Sequence, residues 1–554
     1  MQLPEPHPFS FSSIVNDIEK GIIKIPQFQR DFVWSKAKSC KLMDSIVKGY
    51  PIGTFIFWRT NERLRSIRNL GGIELPEPPK GDMINYVLDG QQRLTSLYAS
   101  LKGLAIKRDE IEEDFSEIFV DLNAKDDDEV VIFDTEKRDK NALILLKDLL
   151  YGKITVWSKY SESLQDKIDD YRTRIQSCNF SAILIKEAPL DVATEIFTRI
   201  NVGGKPLSVF EIMVAKTYDA TKKFDLAEKY KALIADLSEV EYETIAPAIV
   251  LQTVSIFLTK ECSKKQILML KKDKFIDIWD EAIDAISKAV DYFRSFYRIP
   301  VSQLLPYNAL IIPFAYFFKN NKDKPTGEKQ KYMQDFFWRC SLSGRYSSGL
   351  EGKIAQDIKR IDKILGGELP KYDYAIDTSD EFIKNNGWFS AGRSYIKAIL
   401  CIYAYHQPKS FNDNSLVQIG NGWLKQANSK NYHHFFPKAY IEREYKGDLY
   451  ANHVLNITIV DDFLNKREIH AKAPSKYMYT FSKINPKLDV SMKSHLINDL
   501  DGFGIWADDY DKFIDKRARL VSQELGKRVI LQEVDKNKQA TMFDDYEEVE
   551  DAET

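Results

Sequence analysis

The chain has 554 residues, 44% hydrophobic and 29% charged, which excludes a disordered chain, a collagen-like chain and a membrane-spanning bundle. Its length predicts about three or four domains. Lys and Arg number 79 and Asp and Glu 82, so the net charge of −3 excludes a uniformly basic nucleic-acid coat but leaves room for a local basic patch. Five of the seven histidines fall between His433 and His495. The five cysteines are far apart and form no C-x-x-C, which predicts buried thiols in a reducing, cytoplasmic setting. Met1 to Ser10 has no basic region followed by an apolar stretch, so no secretory signal is expected.

The first 220 residues mix strands and helices. Ile22–Ile25 is a short apolar stretch, and Ser35 caps a predicted helix that ends at Gly49. Thr54 to Trp58 is β-branched and aromatic and reads as a buried strand. Asn85–Leu88 reads as another, running through Asp89-Gly90 into a helix with Leu94, Leu97, Tyr98 and Leu101 on one face. Phe119–Leu122 and Ala182–Ile185 are further predicted strands. Ser208 and Glu211 form an S-x-x-E capping box. From about 220 to 400 glycine is sparse and helical periodicity dominates, as in 244–259, 275–297 and 328–340. Beyond 400 come the histidines and a basic run, and Phe543–Thr554 is an acidic tail with a disordered composition.

Two constellations carry chemistry. In the first, Asp89-Gly90-Gln91-Gln92-Arg93 sits at a strand-to-helix turn. Gly90 permits a tight turn, the helix N-terminus favours an anion, and Arg93 offers a fork suited to phosphate. Two other strings, Ile25 to Trp34 with Gln29 and Arg30, and Phe197 to Ser208 with Arg199 and Asn201, place polar groups beside aromatics and a Gly-Gly loop. Each alone reads as an ordinary turn, but three in one region point to a composite anion or nucleotide site.

In the second, His433-His434-Phe435-Phe436-Pro437 precedes Asn456 in a strand-like stretch, and Asn465 follows at the start of a predicted helix. A neutral histidine can take a proton from water near neutral pH, a divalent metal can stabilise charge on a phosphate, and an asparagine can orient an imidazole. Lys438, Lys466, Arg467, Lys472 and Lys476 supply a basic path for phosphates, so the DNA-binding residues are expected there.

The three N-terminal strings, in order, resemble the ParB/sulfiredoxin-like nucleotidase domain of GmrSD-type, modification-dependent (type IV) restriction proteins over about residues 10–220. The resemblance implies nucleotide binding and hydrolysis with sensing of modified DNA. Gln29, Arg30, Asp89, Gly90, Gln91, Gln92, Arg93, Arg199 and Asn201 would then form the nucleotide site. The region from about 400 to 530 resembles the HNH (ββα-metal) nuclease fold. By that match His434 is the general base, His433 and Asn465 are metal ligands, and Asn456 orients the base. The subfamily more often has an acid at position 433.

The expected architecture is α+β multidomain: a ParB-like α/β domain over 1–220, a helical middle over 221–400, an HNH-like domain over 401–540 and an acidic tail over 541–554. The function implied is an anti-phage, modification-dependent DNA endonuclease that uses Mg²⁺ or Mn²⁺ and an NTP, with GTP, CTP and ATP left open. Glucosylated or phosphorothioate-bearing phage DNA is among the partners implied, and a homo-oligomer stays open. The alternative is a nucleotide-switched DNA-binding regulator or scaffold with a degenerate nuclease fold.

Overall fold

The computed structural model describes residues 4–26, 32–66, 69–70, 73–79, 81–108, 111–125, 128–200, 207–219, 221–421, 432–445, 451–460, 469 and 471–536. The chain divides into two compact units, Met1–Leu226 and Ala227–Thr554. Strands and helices are both abundant, as the α+β expectation requires. Among the described residues no helix is long and apolar enough to cross a membrane.

The first unit is built on a five-stranded mixed sheet. Its strands in chain order are β1 (Glu5–Pro6), β2 (Ile23–Lys24), β3 (Phe55–Thr60), β4 (Ile84–Asp89) and β5 (Ala182–Lys186), and their spatial order is β1-β5-β3-β4-β2. β5 runs parallel to β3 in the register Ala182 to Phe55 and Ile185 to Trp58. β4 runs antiparallel to β3, with a register shift between Ile56 and Phe57. Phe55, Phe57 and Trp58 are all fully buried, so β3 is covered on both faces, which is why its sequence is a near-continuous apolar run. Helix α1 (Lys36–Val47) begins at Ser35, whose hydroxyl accepts from Lys38 N, and the chain turns at Gly49 with φ +75°. Helix α2 (Gln91–Lys102) follows β4 directly. Helices α3 (Leu190–Ile200) and α4 (Val209–Thr217) follow β5. The capping box at α4 forms as the spacing predicts: Ser208 Oγ accepts from Glu211 N, and Glu211 accepts from Ser208 N.

The second unit takes in both the helical region and the histidine-bearing region. Helices α5 (Pro247–Thr259), α6 (Lys272–Ser295), α7 (Ile311–Asn320), α8 (Gly327–Leu342) and α9 (Leu350–Leu365) pack through large apolar faces. Helix α7, which contains Pro313, is buried from Ile311 to Phe318. Helix α10 (Ser394–Tyr405) leads toward the histidines. A two-stranded hairpin follows, β6 (Tyr432–His434) with β7 (Ile457–Ile459), and helix α11 (Lys438–Tyr445) lies between its strands in sequence. Helices α12 (Pro474–Ile484) and α13 (Tyr510–Gly526) pack on a core that includes Phe411, Phe435, Phe436, Tyr477, Phe481 and Phe513.

A buried ion network ties the end of the described chain to this unit. Arg339 on α8 bonds Asp335 at 3.1 Å and Asp535 at 2.6 Å, and its Nη2 donates to Ile530 O. Burial pushes the Asp335 carboxyl up to about 6.

Candidate functional site

In the first unit the Asp-Gly-Gln-Gln-Arg string occupies the β4–α2 turn. Gly90 is the residue before α2 and has φ +93°, and a Cβ there would lie 2.4 Å from Phe55 Cδ1. Only glycine fits both the left-handed backbone and the close approach of that ring. Arg93 departs from the phosphate-fork expectation. Its Nη1 donates to Ile52 O at 2.8 Å, and its Nη2 donates to Thr54 O and to Asp89 Oδ2, each at 3.0 Å. The guanidinium also lies over the Phe55 ring. A half-buried cation has to satisfy its donors, and here backbone carbonyls and Asp89 do so. Arg93 therefore holds the 52–54 loop against the turn. Gly53 in that loop has φ +88°, and a Cβ there would come within 2.5 Å of Arg93 Nη1.

Gln91 is buried, and Gln92 Oε1 accepts from Val33 N at 2.8 Å, so the Phe32–Trp34 stretch meets the start of α2. The loop that Arg93 holds forms one wall of a cleft of about 620 Å³, whose other walls include Lys48, Tyr50, Arg174, Asn179 and Ser181. Arg199 lies in the last turn of α3, its side chain is 78% exposed, and it pairs with Glu195. Gln29, Arg30 and Asn201 lie outside the described residues.

In the second unit the hairpin places His433 opposite Thr458 and His434 opposite Ile457. Side chains alternate along a strand, so the two imidazoles leave β6 on opposite faces. His433 is 1% exposed, with its ring edge-on to Phe411, Phe435 and Tyr477. Thr458 Oγ1 donates to His433 O, so at its 2.9 Å contact with His433 Nδ1 it is the acceptor. Nδ1 then carries the proton, and the buried Nε2 keeps a lone pair with no hydrogen-bond partner among the described residues. Burial holds the His433 imidazole well below its usual range, with His434, His495 and Arg517 adding to the effect.

His434 is the more accessible of the pair. Asn452 Nδ2 donates to Phe389 O at 3.2 Å, which turns Asn452 Oδ1 toward His434 Nε2, also at 3.2 Å. That oxygen can only accept, so Nε2 bears the proton and Nδ1 bears the lone pair. Burial lowers the His434 pKa, and the bond to Asn452 opposes that shift.

Among the described residues the Asn456 side chain makes no hydrogen bond to His434, contrary to the orienting role expected of it. Its side chain is fully buried and bonds three backbone groups: Oδ1 accepts from Phe436 N at 2.8 Å, and Nδ2 donates to Phe436 O at 3.0 Å and Ala451 O at 2.9 Å. Asn456 closes the base of the loop between β6 and β7, and Asn452, within that loop, is the residue that orients the imidazole. The reason is geometric. Asn456 immediately precedes β7 and faces the core, whereas Asn452 is exposed beside His434. The turn Val454–Asn456 is held from behind by Arg517 Nη1 on Leu455 O at 2.7 Å and by Tyr403 Oη on Val454 O at 3.2 Å.

Of the other expected residues, Lys438 opens α11, 64% exposed and 3.7 Å from Glu442. Lys472 and Lys476 are exposed before and on α12. Asn465, Lys466, Arg467 and His470 lie outside the described residues. Among the described residues no group of three or more His, Cys, Asp or Glu is placed to hold a metal ion. His453 Nε2 donates to Lys384 O and its Nδ1 accepts from Leu455 N, and His495 Nε2 donates to Lys409 O, so both are structural.

The fold and motifs define a class: an α/β unit with a glycine turn at a strand–helix junction, followed by a helical unit bearing a histidine hairpin. Residues 11–218 match the family model described as GmrSD restriction endonuclease, N-terminal domain. The matched segment takes in strands β2 to β5 and helices α1 to α4 of the first unit. The chain is also similar, at 24% identity, to the uncharacterized protein MJ0686 of Methanocaldococcus jannaschii, over 92% of this chain and 97% of that protein.

Proposed function

We propose that this protein is a modification-dependent DNA endonuclease of anti-phage defence, with the hairpin of the second unit as an HNH-type, metal-dependent nicking site. The observation that carries the reading is the contact of Asn452 Oδ1 with His434 Nε2. Asn452 fixes the proton on Nε2 and leaves Nδ1 as the base. Burial keeps the ring neutral at pH 7, the form a general base needs.

The chemistry then assigns one role to each residue. His434 Nδ1 takes the proton from the attacking water. Asn452 holds the imidazole in register, and Asn456 holds the backbone on which His434 and Phe436 stand. Lys438, Lys466, Arg467, Lys472 and Lys476 contact phosphates along the strand. The donor chemistry at His433 fits a divalent ion, because its imidazole is neutral and its Nε2 lone pair has no partner among the described residues. His433 and Asn465 would hold Mg²⁺ or Mn²⁺, which supplies stabilisation of the charge that develops on the scissile phosphate.

In the first unit an NTP is proposed at the β4–α2 turn and the cleft beside it, a volume in the range of small-ligand sites. Gly90, Gln91 and Gln92 would approach the phosphates, with Arg93 and Asp89 setting the shape of the turn and Gln29, Arg30, Arg199 and Asn201 completing the site. Modification sensing belongs to the same unit.

The test is nicking of plain and modified plasmid with and without Mg²⁺ and each NTP, for the native protein and for His434→Ala. The native protein is expected to nick only with the metal, and His434→Ala is expected to lose nicking while NTP turnover persists. Metal-dependent nicking that survives in His434→Ala would remove the base assignment.

A further inference from the structure

Helix α12 buries one face, and among the described residues its other face is exposed. Pro474, Tyr477, Met478 and Phe481 enter the core, so the helix rotation is fixed. Tyr477 Oη on the buried face bonds Phe435 O, the residue after His434, and Ser475 is anchored through N and Oγ to Asp508, each at 2.7 Å. The exposed face is thereby held in a set position relative to the candidate base.

That exposed face carries Lys476, Tyr479, Thr480 and Lys483, and Lys487 follows within a turn. Between residues 472 and 493 there are five lysines and one acid, Asp489. Lys476, Lys483 and Lys487 form no ion pair with any acid among the described residues. Tyr479 is 57% exposed, and the Lys483 ammonium sits 4.2 Å from its ring centroid. Ile484 and Val490, also exposed, extend the apolar side of the patch.

We infer that this face binds single-stranded DNA, with the lysines on successive phosphates and Tyr479 as a platform on which one base stacks. The inference rests on the nuclease reading for the choice of polyanion. Unpaired cations at helical spacing match a phosphate backbone by charge. The exposed ring decides between strand forms. A duplex hides the faces of its bases, whereas an unpaired strand offers them to an aromatic side chain. The surface would grip the strand displaced or frayed beside a nick.

The experiment measures binding of the full-length protein to a labelled oligonucleotide and to its duplex, without divalent ions, across a salt series. Tyr479→Ala is expected to weaken single-strand binding about tenfold and to leave duplex binding within about twofold. The K476A/K483A/K487A variant is expected to lower the salt slope for single strands by about 2, at roughly 0.7 per phosphate contact. An unchanged single-strand affinity in Tyr479→Ala overturns the platform, as does an equal loss on both DNA forms. An unchanged salt slope in the lysine variant overturns the phosphate contacts. Thermal unfolding of the variants, which change only exposed side chains, establishes that they are folded. His434→Ala run in parallel separates the two ideas: retained binding without nicking supports both, while nicking by His434→Ala with a Tyr479 effect intact overturns only the base assignment.

Discussion

Removing the Asn456 side chain tests whether the histidine hairpin depends on its backbone clamp. Asn456→Ala deletes three hydrogen bonds at 2.8, 3.0 and 2.9 Å and leaves Phe436 N–H, Phe436 C=O and Ala451 C=O without that partner. At about 1 kcal/mol for each bond the loss is about 3 kcal/mol. With a urea dependence of about 3 kcal/mol per molar, the unfolding midpoint should fall by about 1 M. Asn456→Asp should do no better, since it keeps the acceptor for Phe436 N but sets a carboxylate against two carbonyls. Both variants should also lose nicking, because the loop that carries Asn452 is released. Asn452→Ala provides the contrast: its side chain is exposed, so the midpoint should stay put while nicking drops. Urea unfolding followed by tryptophan fluorescence, beside the plasmid assay, reads both quantities. An Asn456→Ala protein with a native midpoint and native nicking would refute the clamp. An Asn452→Ala protein with native nicking would refute the orienting role.

Three further expectations follow from other parts of the molecule. Gly90→Ala should destabilise the first unit by about 2 kcal/mol and abolish any NTP turnover, because the residue is left-handed and faces Phe55; a thermal melt and a phosphate-release assay check this. Arg339→Met should cost about 3–5 kcal/mol, since it strands the buried carboxylates of Asp335 and Asp535, and hydrogen exchange should quicken across 530–536. The second unit should weaken in mild acid. Burial lowers His453 to about 4 and His495 to about 3, while an unfolded histidine titrates near 6.5. Above pH 6.5 neither state binds these protons. Below it the unfolded chain binds them first, so stability falls as pH drops from 6.5 toward 4 and 3, by about 1.4 kcal/mol per histidine at pH 5.5. Asp335 acts in the opposite sense between about 6 and its ordinary 3.8, because the folded state takes that proton first. Comparing His495→Gln with the native protein at pH 7.5 and 5.5 isolates the histidine effect, and an identical pH dependence in the two would contradict it.

The parts of the fold written in short-range pattern were legible. Ser35 and Gly49 bracket α1, Ser208 and Glu211 cap α4, and Asp89-Gly90 marks the strand-to-helix turn because a left-handed residue is needed there. The site was less so, because its assignments depend on partners distant in sequence. Arg93 reads as a phosphate fork until the carbonyls of Ile52 and Thr54 arrive from about forty residues earlier. Asn452 and Asn456 are chemically identical and four residues apart, and only the pairing of β6 with β7 decides that one faces His434 and the other the core. A signal was available for α12: Lys476, Tyr479 and Lys483 at helical spacing already mark one face. The Arg339–Asp535 tie spans 196 residues and has no local signature.

The strand order of the first unit also bears on how the protein is made. β3 pairs on one side with β4, but its other neighbour is β5, which ends at Lys186, and β1 at Glu5 waits for that same strand. During synthesis the aromatic edge of β3 therefore stays open until about 130 further residues have been added, roughly ten seconds at ordinary elongation rates. Open apolar edges recruit other chains. A nascent chain that stalls or terminates before Lys186 leaves the Phe55–Trp58 edge without its β5 neighbour, so slowed elongation in that interval is expected to favour aggregation.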